Sequence, residues 1–583
     1  MNARPPKTTL EQWLDAFGLA LASGAPDAVA ALFVEDGFWR DFAAFTWDLR
    51  TLEGREAIRD MLAATPEAAK AGGWWVVPGA ATGDTEGEIA FETATGWGRG
   101  YVRLRDGRCW TLLTVLDDLK GHEEPRGRRR RMAPPGDPAH PNANWQDLRR
   151  MEAEALGRTR QPYVLIVGGG QGGLALAARL RQLDVPTLVI DRHARVGDQW
   201  RSRYHALLLH DPVWYDHMPY VPFPETWPVF TPKDKLGDWM EAYASIMELN
   251  VWCGSTCRRA RRDEATGVWE VEIERDGETI VVRPQHLVIA TGNAGRPNLP
   301  AFPGAETFGG RILHSSAYTG AADHVGRRVA VIGSNNSAQD ICADLARHGV
   351  DVTMVQRDST HVIRSETFIE MMMKGAYSED ALERGIGTDL ADLLGASLPL
   401  RVLTEPYRAL NAAVAARDAD FYARLEATGF MHDFGEDGTG MPLKYLRRAS
   451  GYYIDVGAAE LLISGAIKLR SRVGIDHIAP GELVLSDGAH LPADDIICAT
   501  GFGTMDQWAA DLISPEVGAK VGKVWGYGSD TTGDPGPWEG ELRNMWKPTA
   551  QDGLWFHGGN LSQSRFYSRV LALQLKARQV QVR

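Results

Sequence analysis

Residues 163–199 read YVLIVGGGQGGLALAARLRQLDVPTLVIDRHARVGDQ, and little else a chain can do fits that order. The apolar run Tyr163 to Val167 predicts a buried parallel strand. It runs into Gly168-x-Gly170-x-x-Gly173 and then a helix rich in Ala, Leu and Arg. A second apolar run, Thr187 to Ile190, ends at Asp191, 23 residues after Gly168. One glycine permits the tight turn, one lets backbone approach a pyrophosphate, and one lets helix pack on strand. The helix N-terminus then presents free N–H groups and the positive end of its dipole to phosphate. Asp191 is placed to accept both hydroxyls of an adenosine ribose. Strand, turn, helix, strand and acid in register predict a dinucleotide-binding unit.

A second unit occupies 328–357, RVAVIGSNNSAQDICADLARHGVDVTMVQR. Its turn is Gly333-x-Asn335-x-x-Ala338. Asn replaces the middle glycine, on the expectation that Asn also visits positive φ. Ala338 still allows close helix packing. The second strand ends in Gln356-Arg357 instead of an acid. A guanidinium binds a 2′-phosphate that a carboxylate would repel, so NADPH is expected in preference to NADH. Two strands echo each other, HLVIATG (286–292) and DDIICATG (494–501). They are expected to be the strands by which the chain leaves and re-enters the first unit. The segment GLWFHGGNLSQSRFYSRVLALQLKA (553–577) predicts a strand, a Gly-Gly-Asn turn and a helix whose N-terminus again faces the cofactor.

The remaining segments frame these units. Leu10, Trp13, Leu14, Phe17 and Leu21 are spaced for an amphipathic helix, the first of two expected in 8–34. A helix over 53–62 and strand-like runs up to Val115 predict a small α+β cone with an antiparallel sheet. Asp41, among aromatics, is a candidate acid there, although a structural or dimerising cone is the better reading. Gly121–Asn144 carries prolines, glycines and the run Arg128–Arg131, and predicts a solvated connector lying across a neighbouring acidic surface. Trp145–Arg158 reads as a helix. The segment 207–224, LLLHDPVWYDHMPYVPFP, predicts a loop over the cofactor ring. Val251–Thr256, Val268–Glu272 and Ile280–Val282 predict a small meander. Residues 370–450 read as helices, with Met371–Met373 in plain core. A net charge of -13 argues against a nucleic-acid surface. No secretory signal or membrane span is expected, and the location expected is cytoplasmic. Cys109, Cys253, Cys257, Cys342 and Cys498 form no CxxC or metal spacing, so no metal site is expected.

Phe308-x-Gly310-x-x-x-His314-x-x-x-Tyr318 lies between the two units. Together with both glycine turns and the ATG strands, it resembles the fingerprint of the class B flavin-dependent monooxygenases, over about 161–583. LLLHDP…MPYVPFP, GRILHSSAY, VQRDSTHVIRSE and YYIDVG resemble most the branch of plant-type indole-3-pyruvate monooxygenases. His210 stands where microsomal and yeast-type members carry Asn. The N-terminal part resembles the NTF2-like (SnoaL-type) family and the N-terminally extended bacterial and fungal monooxygenases, some of which accept NADH.

The resemblance implies an α/β flavoprotein with two Rossmann-type dinucleotide-binding domains, for FAD and NADPH, preceded by an α+β NTF2-like cone. The expected divisions are 1–120 (cone), 121–160 (linker and helix), 161–325 (FAD domain, first part), 326–477 (NADPH domain with the insertion 370–450) and 478–583 (FAD domain, second part). It implies a C4a-(hydro)peroxyflavin that inserts one atom of O2 into a small organic substrate. That insertion is N or S oxygenation, Baeyer–Villiger oxidation, or oxidative decarboxylation of a 2-oxo acid. An NAD(P)H oxidase or reductase, or a redox-sensing flavoprotein, is the alternative. A homodimer through the cone is a further expectation.

His210 is the candidate catalytic residue, and His314 an interdomain linchpin. The candidate cofactor-binding residues of the first unit are Gly168, Gly170, Gln171, Gly173, Asp191, Arg192, Gln199, Trp200, His210 and Asp211. Cys257, Thr291 and Gly292 follow. In the second unit they are Gly333, Ser334, Asn335, Asn336, Ser337, Ala338, Gln339 and Arg357. Thr500, Gly501, Asn560 and Leu561 complete the set.

Overall fold

The structure, a computed structural model, describes residues 7–133, 136 and 138–583. Positions 134, 135 and 137 of the expected connector lie outside the described residues.

The N-terminal unit is a six-stranded sheet in the order 49–53, 33–42, 108–119, 96–105, 86–92, 72–76. It is backed by helices Thr9–Ala22, Pro26–Ala30 and Gly54–Ala64. Strand Phe33–Phe42 pairs in parallel with Arg108–Leu119, which corrects the expected antiparallel sheet. A helix and four strands intervene between them, long enough to bring the chain back in the same direction. The space under the sheet is filled with rings. Trp13 stacks on Phe17 at 4.9 Å, Phe17 meets Trp74 edge-on at 5.1 Å, and Trp74 stacks on Phe91 at 4.4 Å. Asp41 is fully buried and spent on structure: its carboxylate accepts bonds from Thr114 Oγ1, Thr46 Oγ1 and the amides of Phe45 and Thr46.

Two all-parallel sheets follow, as the two glycine turns predicted. The first runs 554–556, 286–289, 164–167, 187–190, 251–252; the second runs 311–314, 495–498, 328–332, 351–356, 468–471. Three corrections come with this topology. Strands Arg311–His314 and Asp495–Cys498 belong to the second sheet, so neither 325/326 nor 477/478 is the division between the two sheets. Val251–Trp252 is an edge of the first sheet, and the meander is Ser255–Arg262, Trp269–Arg275, Glu278–Val282. The ATG echo is not the exit and return of one domain, since each copy lies beside the first strand of its own sheet. Its cause is a shared contact. A Cβ on Gly168 would sit 2.4 Å from the Ala290 carbonyl oxygen, and one on Gly333 would sit 2.4 Å from that of Ala499. Both glycines have φ above +110°.

The insertion is helical as expected, and Met373 is buried in the core of the second unit. The N-terminal unit shares its core with the first nucleotide unit, and Phe42 meets Phe566 and Tyr567 of the C-terminal helix (Leu561–Gln579). Arg40 bonds both carboxylate oxygens of Glu541 at 2.5 and 2.6 Å, with both side chains buried. Its remaining donors go to the carbonyls of Ala396 and Leu398. The connector crosses the first unit, where Arg131 bonds Asp184.

Burial pushes His361 and His557 down to about 3, and His286 and His432 down to about 4. The unfolded chain therefore binds these four protons first, and stability falls as pH drops below about 6.5. Burial raises Asp118 to about 6 and also lifts Asp41, Asp211, Asp216, Asp340 and Asp455, an effect of opposite sign that offsets part of that loss. The histidines outweigh these carboxyls if they are held neutral, so the melting temperature should fall between pH 7 and pH 5.5, each such histidine being worth up to about 1.4 kcal/mol per pH unit. A flat profile by calorimetry would show that these imidazoles are not held neutral.

Candidate functional site

The two glycine turns each open a helix whose first N–H groups have no protein cap. At Gly170, before the helix Gln171–Gln182, and at Asn335, before Asn336–Arg347, no side chain accepts from the first turn. The intrahelical bonds begin only at Leu174 and Gln339. The helices at Thr9, Trp145 and Leu561, by contrast, all carry capping boxes. Uncapped donors at the carboxyl ends of parallel strands are what a pyrophosphate satisfies. Within the first turn a Cβ on Gly173 would lie 1.9 Å from the Gly168 carbonyl oxygen. One on Gly170 would meet nothing nearer than Gln199 Nε2 at 3.9 Å. Gly173 is thus a packing glycine, and Gly170 leaves open the side from which phosphate approaches.

Asp191 closes the second strand as predicted, and its carboxylate accepts from the Gly169 amide at 2.6 Å and the His193 amide at 2.8 Å. Burial opposes its ionisation, but these bonds and the His193 ring outweigh it and hold the pKa below the usual range. Arg192 beside it is exposed. Gln171 donates to the Gly559 carbonyl and Gln199 contacts Met240 Sδ. Cys257, half-buried, lies two residues beyond the Ser255 amide that bonds the Asp191 carbonyl.

In the second turn Asn335 has φ -89°, which corrects the expected positive φ. Its role is a side-chain one: Oδ1 accepts from Thr360 Oγ1 at 3.0 Å, and Thr360 in turn bonds Ser334. Ser337 and Ala338 supply uncapped amides beside Asn336. Gln356 is buried and pinned to the Met431 backbone through both ends of its amide, whereas Arg357 is exposed at the strand end.

Buried polar atoms without a protein partner gather around these strand ends: Thr291 Oγ1, Trp200 Nε1, Asn336 Oδ1, Gln339 Oε1 and both ring nitrogens of His557. A folded chain leaves few such atoms orphaned unless a ligand takes them. Gly292 follows Thr291 with φ +73°. Thr500 Oγ1 donates to the Asn298 carbonyl, joining the crossover segments between the sheets. His314 accepts from the Ser316 amide at Nδ1, so its proton is on Nε2 and is donated to the Gly501 carbonyl at 2.9 Å. That geometry ties two crossover segments and leaves no nitrogen for acid–base work.

Asn560 caps the C-terminal helix and donates to Tyr215 Oη at 3.0 Å, while its amide donates to Tyr445 Oη at 3.2 Å. The amides of Leu561 and of Ser562 remain outside the cap. Tyr452 reaches across to Asn336, so this cluster spans both nucleotide turns. Asp211 lies within it: its charge acts on Tyr215, Tyr445 and Tyr452, and burial raises its own pKa, with His210 opposing. Asp216 is 1% exposed, its Oδ2 has no partner among the described residues, and burial followed by the Asp211 charge raises it well above the usual range. His210 is half-buried between Asp211 and Asp340.

The sequence reading missed Tyr215, Tyr377, Tyr445, Tyr452, Asp392 and Arg565. Arg565 is buried, donates twice to Asp392 at 2.7 Å, and holds the carbonyls of Tyr215 and His217. Three quoted segments hold some of them without marking them out: 207–224 holds Tyr215, YYIDVG holds Tyr452, and 553–577 holds Arg565. Among the described residues no cluster of metal ligands occurs.

A family model described as "Pyridine nucleotide-disulphide oxidoreductase" matches residues 165–384. The indole-3-pyruvate monooxygenase YUCCA1 of Oryza sativa subsp. japonica is 31% identical over 377 residues, covering 63% of this chain and 84% of that protein. The chain belongs to the class B flavin monooxygenases. The probable indole-3-pyruvate monooxygenase YUCCA7 of Arabidopsis thaliana is 28% identical over 61% of this chain and 77% of its own. A caprolactone-bound cyclohexanone monooxygenase shares the fold, with TM-score 0.50 and 18% identity over 72% of this chain and 87% of that one. The chain is therefore a flavin monooxygenase, with FAD and NADPH as its cofactors. The two uncapped cradles and the orphaned atoms around them fit that pair. All five cysteines are free. No described helix is long and apolar enough to cross a membrane.

Gly170→Ala should leave the melting temperature of the apoprotein unchanged, since its Cβ meets only open space, yet weaken FAD retention more than tenfold. Full flavin stoichiometry in that variant, read from the visible spectrum after gel filtration, would show that phosphate does not approach there.

Proposed function

We propose that this monooxygenase transfers oxygen to a small neutral or basic organic molecule, a ketone, amine or sulfide, held between the two nucleotide turns. One observation carries the reading: tyrosines cluster there with two carboxyls, Asp211 and Asp216, whose pKa values burial raises, and of these Asp216 has an oxygen without a partner among the described residues. Arg565, whose charge acts on Asp216, has its donors committed to Asp392, Ser562 and two carbonyls. An anionic substrate would meet uncompensated negative charge in a buried site, where such contacts cost most. The rice relative is named for indole-3-pyruvate, a 2-oxo acid, and that anion is the second reading.

The first turn and Asp191 hold FAD, and the second turn with Arg357 holds NADPH. Bound FAD, once reduced by NADPH, supplies the activation of O2. This chain's own residues do the rest. The 207–224 loop excludes water, which would otherwise quench the reactive centre. Asn560, Leu561 and Ser562 orient the flavin with a helix N-terminus. His210, beside Asp211, holds or accepts a proton at its ring nitrogen. The N-terminal unit, with its ring-filled interior and its spent Asp41, supports an NTF2-like scaffold without a site of its own.

Under a substrate panel with NADPH and air, neutral ketones, amines or sulfides should give product with matched NADPH use, and 2-oxo acids should not; the reverse pattern sinks the reading. Arg357→Ala should raise KM for NADPH roughly tenfold, the worth of one charge-assisted contact, and leave KM for NADH unchanged. An unchanged NADPH KM would release Arg357 from that role. His210→Ala should keep NADPH-driven flavin reduction while the hydrogen peroxide share of NADPH use rises severalfold. Tight coupling in that variant would reduce His210 to a loop residue.

A further inference from the structure

The insertion helix Thr388–Ala396 and the C-terminal helix Leu561–Gln579 carry two ion pairs stacked one turn apart. The inner rung is Asp392–Arg565, at 2.7 Å, with both side chains below a tenth exposed. The outer rung is Asp389–Arg569, at 3.6 Å. Spacings of three on one helix and four on the other put both rungs on the same facing sides.

The inner rung holds the proposed oxygen-transfer cleft. Arg565 Nη1 donates to the carbonyls of Tyr215 at 2.8 Å and His217 at 2.7 Å. Asp392 accepts from Tyr377 Oη at 2.8 Å, and Tyr377 meets Tyr215 edge-on at 4.8 Å. The outer rung is completed by the N-terminal unit. Arg99 bonds Asp389, and Arg569 bonds Asp117 at 2.5 Å. Arg99 and Arg126 also pair with Asp117, at 3.5 and 3.0 Å. Burial opposes ionisation of Asp389, but Arg99 and Arg569 outweigh it and hold its carboxyl well below the usual range. Without the N-terminal unit the outer rung would be a lone surface pair; in the whole chain it lines, with Arg99 and Asp117, an open cavity of about 350 Å³. Such pairs contribute little. With it, the rung is a network of charges from three parts of the chain.

We infer that the N-terminal unit is a positioning element for oxygen transfer: by completing the outer rung it fixes the insertion helix against the C-terminal helix and keeps the 211–217 segment in place. Arg99 and Asp117 are then positioning residues, acting through Asp389, Arg569 and the inner rung. Only the coupling readout below depends on the proposed function; the exchange readout does not.

The test is hydrogen exchange and turnover on the FAD-loaded full chain carrying Arg99→Ala, with Asp117→Asn as a second variant should the first fold poorly. Amides 213–218 should exchange at least tenfold faster. The hydrogen peroxide share should rise, and KM for an accepted substrate should rise, while the anaerobic rate of flavin reduction by NADPH is unchanged. Arg99→Lys should recover part of the protection, because a point charge still reaches Asp389. Arg105→Ala removes an exposed pair with Asp36 elsewhere on the same unit and should change neither readout. Unchanged exchange at 213–218 in Arg99→Ala and Asp117→Asn overturns the inference, and so does equal loosening in Arg105→Ala. If exchange rises but no panel substrate is turned over, the inference stands and the substrate reading fails.

Discussion

A carbonyl oxygen 2.4 Å from where a side chain would begin sets the geometry of both cofactor sites. At Gly168 against Ala290, and at Gly333 against Ala499, the turn can pass only because no Cβ is present. That approach brings each helix start directly over the carboxyl ends of its sheet. The helix dipole and three free amides then converge on one point without any charged side chain. On the proposed assignment a cofactor phosphate is bound by backbone, and the surrounding side chains are free for other work. This explains how a chain of net charge -13 holds two polyanionic cofactors.

Two buried ionic clusters join the remaining parts to that core. Arg40–Glu541 spans 501 residues of sequence and fixes the N-terminal sheet to the segment before the last strand. Arg565–Asp392 spans 173 residues and fixes the insertion to the last helix. A buried pair is weak as a source of stability, because desolvation cancels most of its attraction. It is strong as a register device, because displacing either partner strands a charge in a dry place. In both clusters backbone carbonyls or hydroxyls take up further hydrogens of the guanidinium, so the pair dictates where those chain segments lie.

Local chemistry was legible from residue order and long-range partnership was not. Gly168, Gly170, Gly173 and Asp191 serve one turn, and their spacing carries the whole message. The ATG echo was read as the exit and return strands of one unit, which is right for the sheet of the first copy and wrong for that of the second. The signal reports what a strand end must accommodate, and two homologous folds make the same demand. Asn335 was expected at positive φ, yet its amide oxygen serves Thr360 from an extended backbone, a partner 25 residues away. Tyr215 and Arg565 lay in segments the sequence marked, and Tyr445 did not, but none could be singled out because each gains its role from a partner more than a hundred residues distant.

On the proposed function, Asp211 and Asp216 bear on substrate choice through the low polarity of their surroundings. Asp216 has an oxygen without a donor and lies beside Asp211, so the two carboxyls cannot both stay ionised cheaply. A neutral molecule leaves Asp216 protonated, and tyrosine hydroxyls then serve its carbonyl or heteroatom. A basic molecule completes the pair by adding the missing positive charge. An anion does neither, and it would have to draw Arg565 away from the loop that closes the cleft. The residue that could welcome a 2-oxo acid is thus the one whose release would open the site to water.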